Sequence, residues 1–512
     1  MPEHIRSLIY ILILATATFF LAKKMTASVV DSRQFNRWRN TWLALTVIVF
    51  LAGNFWLYAL LSFSLLMFVA KQEQNPFALF FVLLFTIPRI SENIPGFGLV
   101  NFLFPIDFVT ILSFSVLLPA YLSLRKESET APFLNYWADR LLLIYMILAV
   151  TLLMRDTTVT DAMRKVISSF ATIFLPYYVA SRGIKNLQQF KEVIAAFVIA
   201  CMVEGTLGIF EYSRFWLLYA DLKNSLGVTW NMGEYLGRGE NLRALASLGQ
   251  PIALGYIMVI ALGFYLFLAH HIKNKYWKII GLGMVLAGLY VPLSRGPWMG
   301  AALLIVIYIL ISPKVMKRLT ALVVATALII PLMSSMPIGK KVIDMLPFIG
   351  KTDTENVDYR VRLLDAAYTV FNRYPFFGSV KYRDELATLG MTQGEGIVDV
   401  VNTYLDVVLE YGLIGFTLYL SFFAIVVITI IHTLKKIEDK QSDAHLLGRV
   451  LLATQLAILF TITSVSSILV IPVVYWAIAG LSISYESISR GFRYVKQDTY
   501  VLPTTRLAGK EA

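Results

Sequence analysis

The apolar residues of this chain are gathered into blocks about 15 to 25 residues long, repeated from end to end, and that feature removes most folds from consideration. A soluble core cannot absorb so many such blocks. An α-helix of about 20 apolar residues, by contrast, satisfies its own backbone hydrogen bonds while crossing a bilayer. With 57% hydrophobic and only 15% charged residues among 512, the composition belongs to the same class. The expected fold is all-α, a polytopic transmembrane helical bundle. Blocks fall near 5–22, 41–70, 77–89, 105–123, 139–154, 166–181, 190–212, 246–269, 279–293, 297–312, 319–336, 412–433, 450–467 and 469–486. Together they make about 12 to 15 spans, since 41–70 suits either one tilted helix or a tight pair. The first block is followed by Lys23 and Lys24 rather than a small-residue cleavage site, so it reads as a span and not as a signal peptide.

A net charge of +12 raises the question of nucleic acid. The basic residues, however, sit in short clusters between apolar blocks, and no basic face with interleaved aromatics is present, so no nucleic-acid partner is expected. One cysteine, Cys201, excludes an intramolecular disulfide and a thiolate cluster. The clusters Arg182/Lys185/Lys191, Lys273/Lys275/Lys278, Lys314/Lys317/Arg318, Lys435/Lys436 and Arg490/Arg493/Lys496 occupy alternate connections, which the positive-inside rule makes cytoplasmic. The chain then divides into an N-terminal transmembrane region (1–212), a far-side loop (213–245) and a transmembrane region with a tight turn at Arg295 (246–336). A large far-side loop (337–408), C-terminal helices (409–489) and a basic cytoplasmic tail (490–512) complete it.

The far side carries arginines that the topological bias disfavours. Arg238 and Arg243 precede a span, Arg295 sits in the turn PLSRGPWMG, and Arg360 and Arg362 open an amphipathic pattern from Val361 to Phe371. Singly, each can snorkel to headgroups. Together, their planar forks suit a pyrophosphate arriving from the membrane. A second polar set lies in VVNTYLDVVLEYGLIG, Val400 to Gly415. If Asp399 to Glu410 is helical, Asp399, Asn402 and Asp406 share one face at i, i+3 and i+7. That stripe is open to two readings: helix capping with an interfacial belt, or binding of acceptor hydroxyls with Asp399 or Glu395 as the base. Gly412 and Gly415 are expected to permit close helix packing.

RALASLGQPIALG, PLSRGPWMGAALL, YRVRLLDAAYTVFNRYPFFG and NTYLDVVLEYGLIGF, in that order across roughly 238–416, resemble the O-antigen ligase and O-antigen polymerase superfamily of bacterial envelope enzymes. The resemblance implies a GT-C-like membrane glycosyltransferase in the bacterial inner membrane, with its active site at the periplasmic face. It further implies transfer of an undecaprenyl-pyrophosphate-linked saccharide to a glycan acceptor with no metal and no nucleotide cofactor. A chain-length regulator is a candidate partner. Arg243, Arg295 and Arg362 match the arginines before the span, in the small-residue turn and opening the loop helix, while Asn402, Gly412 and Gly415 match a His-Asn motif followed by Gly-x-x-Gly. The chain departs from the pattern at Val401, where the family carries histidine. Polymerases are similar in having Arg-x10-Gly spacings, met here by Arg238 to Gly249 and Arg383 to Gly394. The expected catalytic set is therefore Arg243, Arg295, Arg362, Asp399 and Asn402, with Arg238, Arg360, Arg383, Glu395 and Asp406 binding substrate. Polymerase is the favoured reading, ligase the alternative. A transporter of the same lipid-linked glycans is a third reading, though it predicts internal repeats and charges within mid-membrane helices, whereas no convincing repeat is present and the unusual charges cluster at one face.

Overall fold

In the computed structural model, which describes residues 1–98, 100–230, 232–335, 354–392 and 396–498, the chain is a helical bundle with two small hairpins. Its helices, numbered here in chain order, begin with α1 (Glu3–Thr26), α2 (Ser32–Leu51), α3 (Phe55–Ala70), α4 (Pro76–Leu83) and α5 (Phe108–Leu124). Next come α6 (Trp137–Asp156), α7 (159–183), α8 (Leu187–Arg214), the short α9 (Leu222–Leu226), α10 (Pro251–His271), α11 (Lys275–Tyr290), α12 (Arg295–Leu310) and α13 (Val315–Ser334). The last five are α14 (Thr354–Arg373), α15 (Tyr382–Thr388), α16 (Thr403–Lys436), α17 (Asp443–Thr461) and α18 (Ile471–Asp498). Strands β1 (Ser91–Pro95) and β2 (Phe102–Asp107) pair antiparallel, as do β3 (Gly237–Arg238) and β4 (Asn241–Leu242).

The all-α, polytopic character expected from the apolar blocks is what is found. Among the described residues, eight helices are long and apolar enough to cross a membrane, and three shorter apolar helices accompany them. That is fewer full-length spans than the blocks suggest, and the shortfall has local causes. Block 41–70 is a tight pair, because Asn54 accepts the Trp56 and Leu57 amides and starts a new helix. Block 77–89 yields only α4. Pro88 cannot continue a helix, and 84–90 runs on irregularly inside protein, where non-helical backbone is tolerated at membrane depth. Block 105–123 loses its first residues to β2, whose Asp107 caps α5 by accepting the Thr110 amide at 2.8 Å. Helices α5 and α7 each carry one π-turn, Ser113–Leu117 and Phe170–Phe174, just ahead of Pro119 and Pro176. Proline lacks the N–H that the regular ladder needs there.

Polar contacts between connections divide the bundle into two faces. Lys191 and His271 meet Asp443 at 2.5 and 3.0 Å, Asn75 Nδ2 donates to the Gln189 carbonyl, and Lys185 pairs with Glu127. Connections near 71–75, 184–186, 272–274 and 437–442 therefore share one face, the basic face. Arg182, counted above among the flanking charges, is instead buried in an ion pair with Asp139. Segments 215–230, 232–250, 291–294, 374–392, 396–402 and 462–470 lie at the other end, the loop face.

Helix α17 is seated by hydroxyls in glycine notches. A Cβ on Gly263, Gly300 or Gly296 would stand 2.2, 2.0 or 2.2 Å from the side-chain oxygens of Thr454, Thr461 and Ser464 respectively. Only a missing side chain on α10 and α12 lets these backbones approach so closely. Helix α13 is the opposite case: from Val323 to Leu332 its apolar side chains are exposed around the helix, as suits a segment bathed in lipid.

Candidate functional site

Two buried carboxylates of α8 build the first wall of the loop-face site. Glu211 accepts the amides of Leu218, Leu245 and Ala246 at 3.0, 2.9 and 2.8 Å. Glu204, about two helical turns deeper, accepts the Ser247 amide at 3.0 Å and contacts its hydroxyl at 2.8 Å. A carboxylate is the right group for this task, since it offers several lone pairs to consecutive amides that a loop would otherwise leave unpaired. The clamped loop carries Arg243, whose Nε donates to the Pro292 carbonyl at 3.1 Å and whose Nη2 donates to Ser294 Oγ at 2.9 Å. Arg238 donates to the Leu293 carbonyl of the same turn. Burial, helped by the neighbouring Arg238 charge, pulls the pKa of Arg243 down to about 10. Two guanidiniums are thus held on the turn that leads directly into Arg295, the first residue of α12.

The second wall comes from the C-terminal half. Gly296 packs on Ser464, which places the Arg295 turn beside the loop 462–470. That loop receives the start of α16: Thr403 donates its amide to the Ile462 and Val465 carbonyls and its hydroxyl to Val465, at 3.0, 3.1 and 2.7 Å. Asn402 caps the helix by accepting the Tyr404 and Leu405 amides at 2.9 and 3.2 Å. Asp399 accepts the Ser466 hydroxyl at 2.6 Å, and its carbonyl accepts the Tyr359 hydroxyl of α14 at 2.9 Å. The stripe expected from a helix over Asp399 to Glu410 is therefore corrected. The helix starts at Thr403, so Asp399 lies outside it and the three side chains take separate partners. Capping accounts for Asn402, and Asp406 is buried against Tyr382 and Arg383 of the loop unit, the described residues 354–392 and 396–402 that carry α14 and α15, with Arg383 Nη2 lying 2.8 Å from its carboxylate. Burial opposes the Arg383 charge, but Asp406 and the Tyr382 oxygen outweigh it and hold its pKa above the ordinary arginine range.

Gly412 has a role different from the helix packing expected of it. Its backbone is left-handed (φ 65°, ψ −169°), and it splits α16 into a short first segment and a long second one. The turn Tyr374–Gly378 docks into that break: the Leu413 and Ile414 amides donate to the Pro375 and Phe376 carbonyls at 2.9 and 3.1 Å, and Ser379 donates to Leu409 at 2.9 Å. A Cβ on Gly412 would meet the Phe376 backbone at 2.3 Å, and one on Gly378 would meet the Gly412 nitrogen at 2.6 Å. The motifs RYPFFG and EYGLIG are thus two halves of one joint.

The other expected site residues are not gathered in. Arg360 and Arg362 lie on the exposed side of α14, and among the described residues neither bonds to Arg243, Ser294 or Asp406. Glu395 lies outside the described residues. Conversely, the first 200 residues supply loop-face cations that the sequence reading passed over. Arg155 Nη2 donates to the Gly378 carbonyl at 2.8 Å, Lys165 contacts the Tyr411 hydroxyl at 3.2 Å and Glu410 at 3.7 Å, and Arg89 joins Asp107 to the Leu469 carbonyl. The topological argument that singled out Arg243 applies equally to these, once the front half is oriented. Glu204 and Glu211 had their own signal, two carboxylates inside an apolar block.

Comparison with known families fits this geometry. Residues 280–420 match the family model described as O-Antigen ligase, a stretch that runs from α11 through the Arg295 turn and the loop unit to the Gly412 joint. Over this stretch, somewhat more than a quarter of the chain, the sequence is similar to that family of membrane proteins. No curated protein matches the chain.

Proposed function

We propose that the protein is a bacterial inner-membrane glycosyltransferase that polymerises undecaprenyl-pyrophosphate-linked repeat units into O-antigen or exopolysaccharide at the periplasmic face. The observation that carries this reading is the seating of Arg238 and Arg243 on the turn that ends in Arg295. Guanidinium groups fixed by backbone and hydroxyl partners form a preorganised cationic surface, and such a surface stabilises a diphosphate as negative charge develops on it during departure. Diphosphate is already a good leaving group, so the reaction needs no metal or nucleotide to supply most of the barrier lowering, and the valine at position 401 is compatible with activity. On the acceptor side, Asp399 is the group assigned to take the hydroxyl proton, with Asn402 and Arg362 orienting sugar hydroxyls or the donor phosphate. The basic face is assigned to the cytoplasm on the positive-inside rule.

The ligase reading is kept because the matching family model bears the description O-Antigen ligase. The two differ in acceptor. A polymerase joins lipid-linked repeat units to each other; a ligase moves finished glycan from the carrier to lipid A core or to a protein. Purified protein supplied only with lipid-linked repeat units is expected to extend them in the presence of a metal chelator. Silence with every such donor, relieved by a core acceptor, makes the ligase reading the correct one. Lysine in place of Arg243, Arg295 or Arg362 keeps charge but loses the fork, and each variant is expected to insert normally yet lose most polymer. Near-normal polymer in all three refutes the arginine assignment.

A further inference from the structure

Phe376 and Phe377 are 62% and 46% exposed, side by side, on the turn that docks into the Gly412 break. Neither belongs to the packed core of the loop unit, which is made by Leu363, Ala366, Ala367 and Val370 against Tyr382, Leu386, Val398 and Leu409. Two large aromatic side chains presented together are costly to leave in water.

Their depth is fixed by the backbone. The Pro375 and Phe376 carbonyls accept from Leu413 and Ile414, the first residues after the break, so the aromatic pair stands level with the start of the segment 413–436. That segment is apolar and longer than the roughly 20 residues needed to cross the hydrocarbon core. Leu413 and Ile414 are themselves 41% and 38% exposed, the signature of side chains that face lipid from the rim of a span. The joint cannot slide, because Gly378 and Gly412 are interlocked and Arg155 holds the Gly378 carbonyl. Whatever solvent surrounds Leu413 and Ile414 therefore also surrounds Phe376 and Phe377.

We propose that Phe376 and Phe377 are a membrane anchor: they insert into the hydrocarbon of the leaflet on the loop face and tie the loop unit to the bilayer. The partner is the acyl-chain region of the membrane. Phe, with Leu and Trp, supplies the apolar side of segments that lie in the interface, and a pair continuous with the rim of a span extends that rim sideways. The loop unit is then a monolayer-inserted element, not a lid standing free in water. This inference is independent of the chemistry proposed above and stands or falls without it.

Nitroxide labels test it in full-length protein reconstituted into vesicles of phosphatidylethanolamine and phosphatidylglycerol. The single native cysteine, Cys201, is buried and is replaced in the background by C201A. Labels at F376C, F377C, L413C and R373C are compared for collision with oxygen, which concentrates in lipid, and with a water-soluble nickel chelate. Positions 376, 377 and 413 are expected to favour oxygen at least about tenfold over 373, which lies on an exposed arginine of α14. Dominant collision with the chelate at 376 and 377 overturns the proposal. So does chelate access at 413, which removes its premise. Protection of 376 and 377 from both reagents, with spin–spin broadening that grows with protein-to-lipid ratio, overturns it in favour of contact with a second copy of the chain.

Discussion

Replacing Arg243 by glutamine should leave the fold nearly as stable as before while removing the protein's response to diphosphate. The pKa of Arg243 is lowered from the ordinary arginine range to about 10, chiefly by burial, which corresponds to roughly 3 kcal/mol against its charged form. Above about pH 10 the unfolded chain binds more protons than the folded one, so stability rises with pH there until the unfolded arginine also loses its proton, and the full penalty applies below about pH 10. At neutral pH the charge is therefore a burden that glutamine removes. Glutamine also loses the bonds to the Pro292 carbonyl and Ser294 Oγ, worth about 1.5 to 3 kcal/mol each as charge-assisted hydrogen bonds. The opposing terms largely offset, and Arg243→Gln is expected to be about 0 to 3 kcal/mol less stable than the parent. Inorganic pyrophosphate at 100 times its dissociation constant should stabilise the parent by about 2.7 kcal/mol and the variant hardly at all. Thermal unfolding in detergent, followed by tryptophan fluorescence at matched scan rates, reads both. A variant that loses more than about 4 kcal/mol makes Arg243 a structural arginine, and equal stabilisation of parent and variant by pyrophosphate breaks the link between this residue and a diphosphate.

Three further outcomes follow from the geometry. Gly412→Ala should cost at least about 2 kcal/mol and release the Tyr374–Gly378 turn, seen as new protease cleavage near 374–380, because both the left-handed backbone and the 2.3 Å approach to Phe376 forbid a Cβ. Asp406→Ala should cost about 1 to 3 kcal/mol, since it strands the buried Tyr382 hydroxyl while the half-exposed Arg383 regains water, and adding Arg383→Met should change stability by less than about 1 kcal/mol further in a double-mutant cycle. The Arg89–Asp107 pair should make the hairpin 91–107 acid-labile. Burial raises the Asp107 pKa, but Arg89 and Thr110 outweigh it and leave it below 3.8, so this stability is present above about pH 4 and is lost as pH falls through the lowered value. Hydrogen exchange at 91–107 should rise at pH 3 in the parent, and should be fast already at neutral pH in Arg89→Gln.

The fold class was legible because a bilayer demands long apolar helices, and almost nothing else writes 15-to-25-residue blocks so regularly. Residues that oppose a strong bias were legible too: Arg238, Arg243 and Arg295 do meet at one turn. What periodicity could not give was the start of α16. Whether Asp399 is helical depends on Thr403 bonding to Ile462 and Val465, some 60 positions away, and no local pattern encodes that. The same holds for Gly412, whose glycine was visible but whose partner, the turn before Gly378, is fixed by tertiary docking. The side of α14 on which Arg362 stands was not legible either: an arginine on an amphipathic helix can face inward or outward, and the structure leaves this one exposed, open to a ligand arriving from outside.

The hydroxyls seated opposite glycines along α17 constrain how this sequence can diverge. A methyl at position 263, 296 or 300 requires the hydroxyl of Thr454, Ser464 or Thr461 opposite it to rotate away or to be lost. Serine at 464 can turn its hydroxyl aside more freely than the β-branched threonines can, so alanine at 263 or 300 is more tightly coupled to its partner than alanine at 296. Because the 296 pair sits immediately beside Arg295, drift at this helix contact bears on the arginine itself, and substitutions that look like repacking of a membrane span will be inherited as changes at the Arg295 turn.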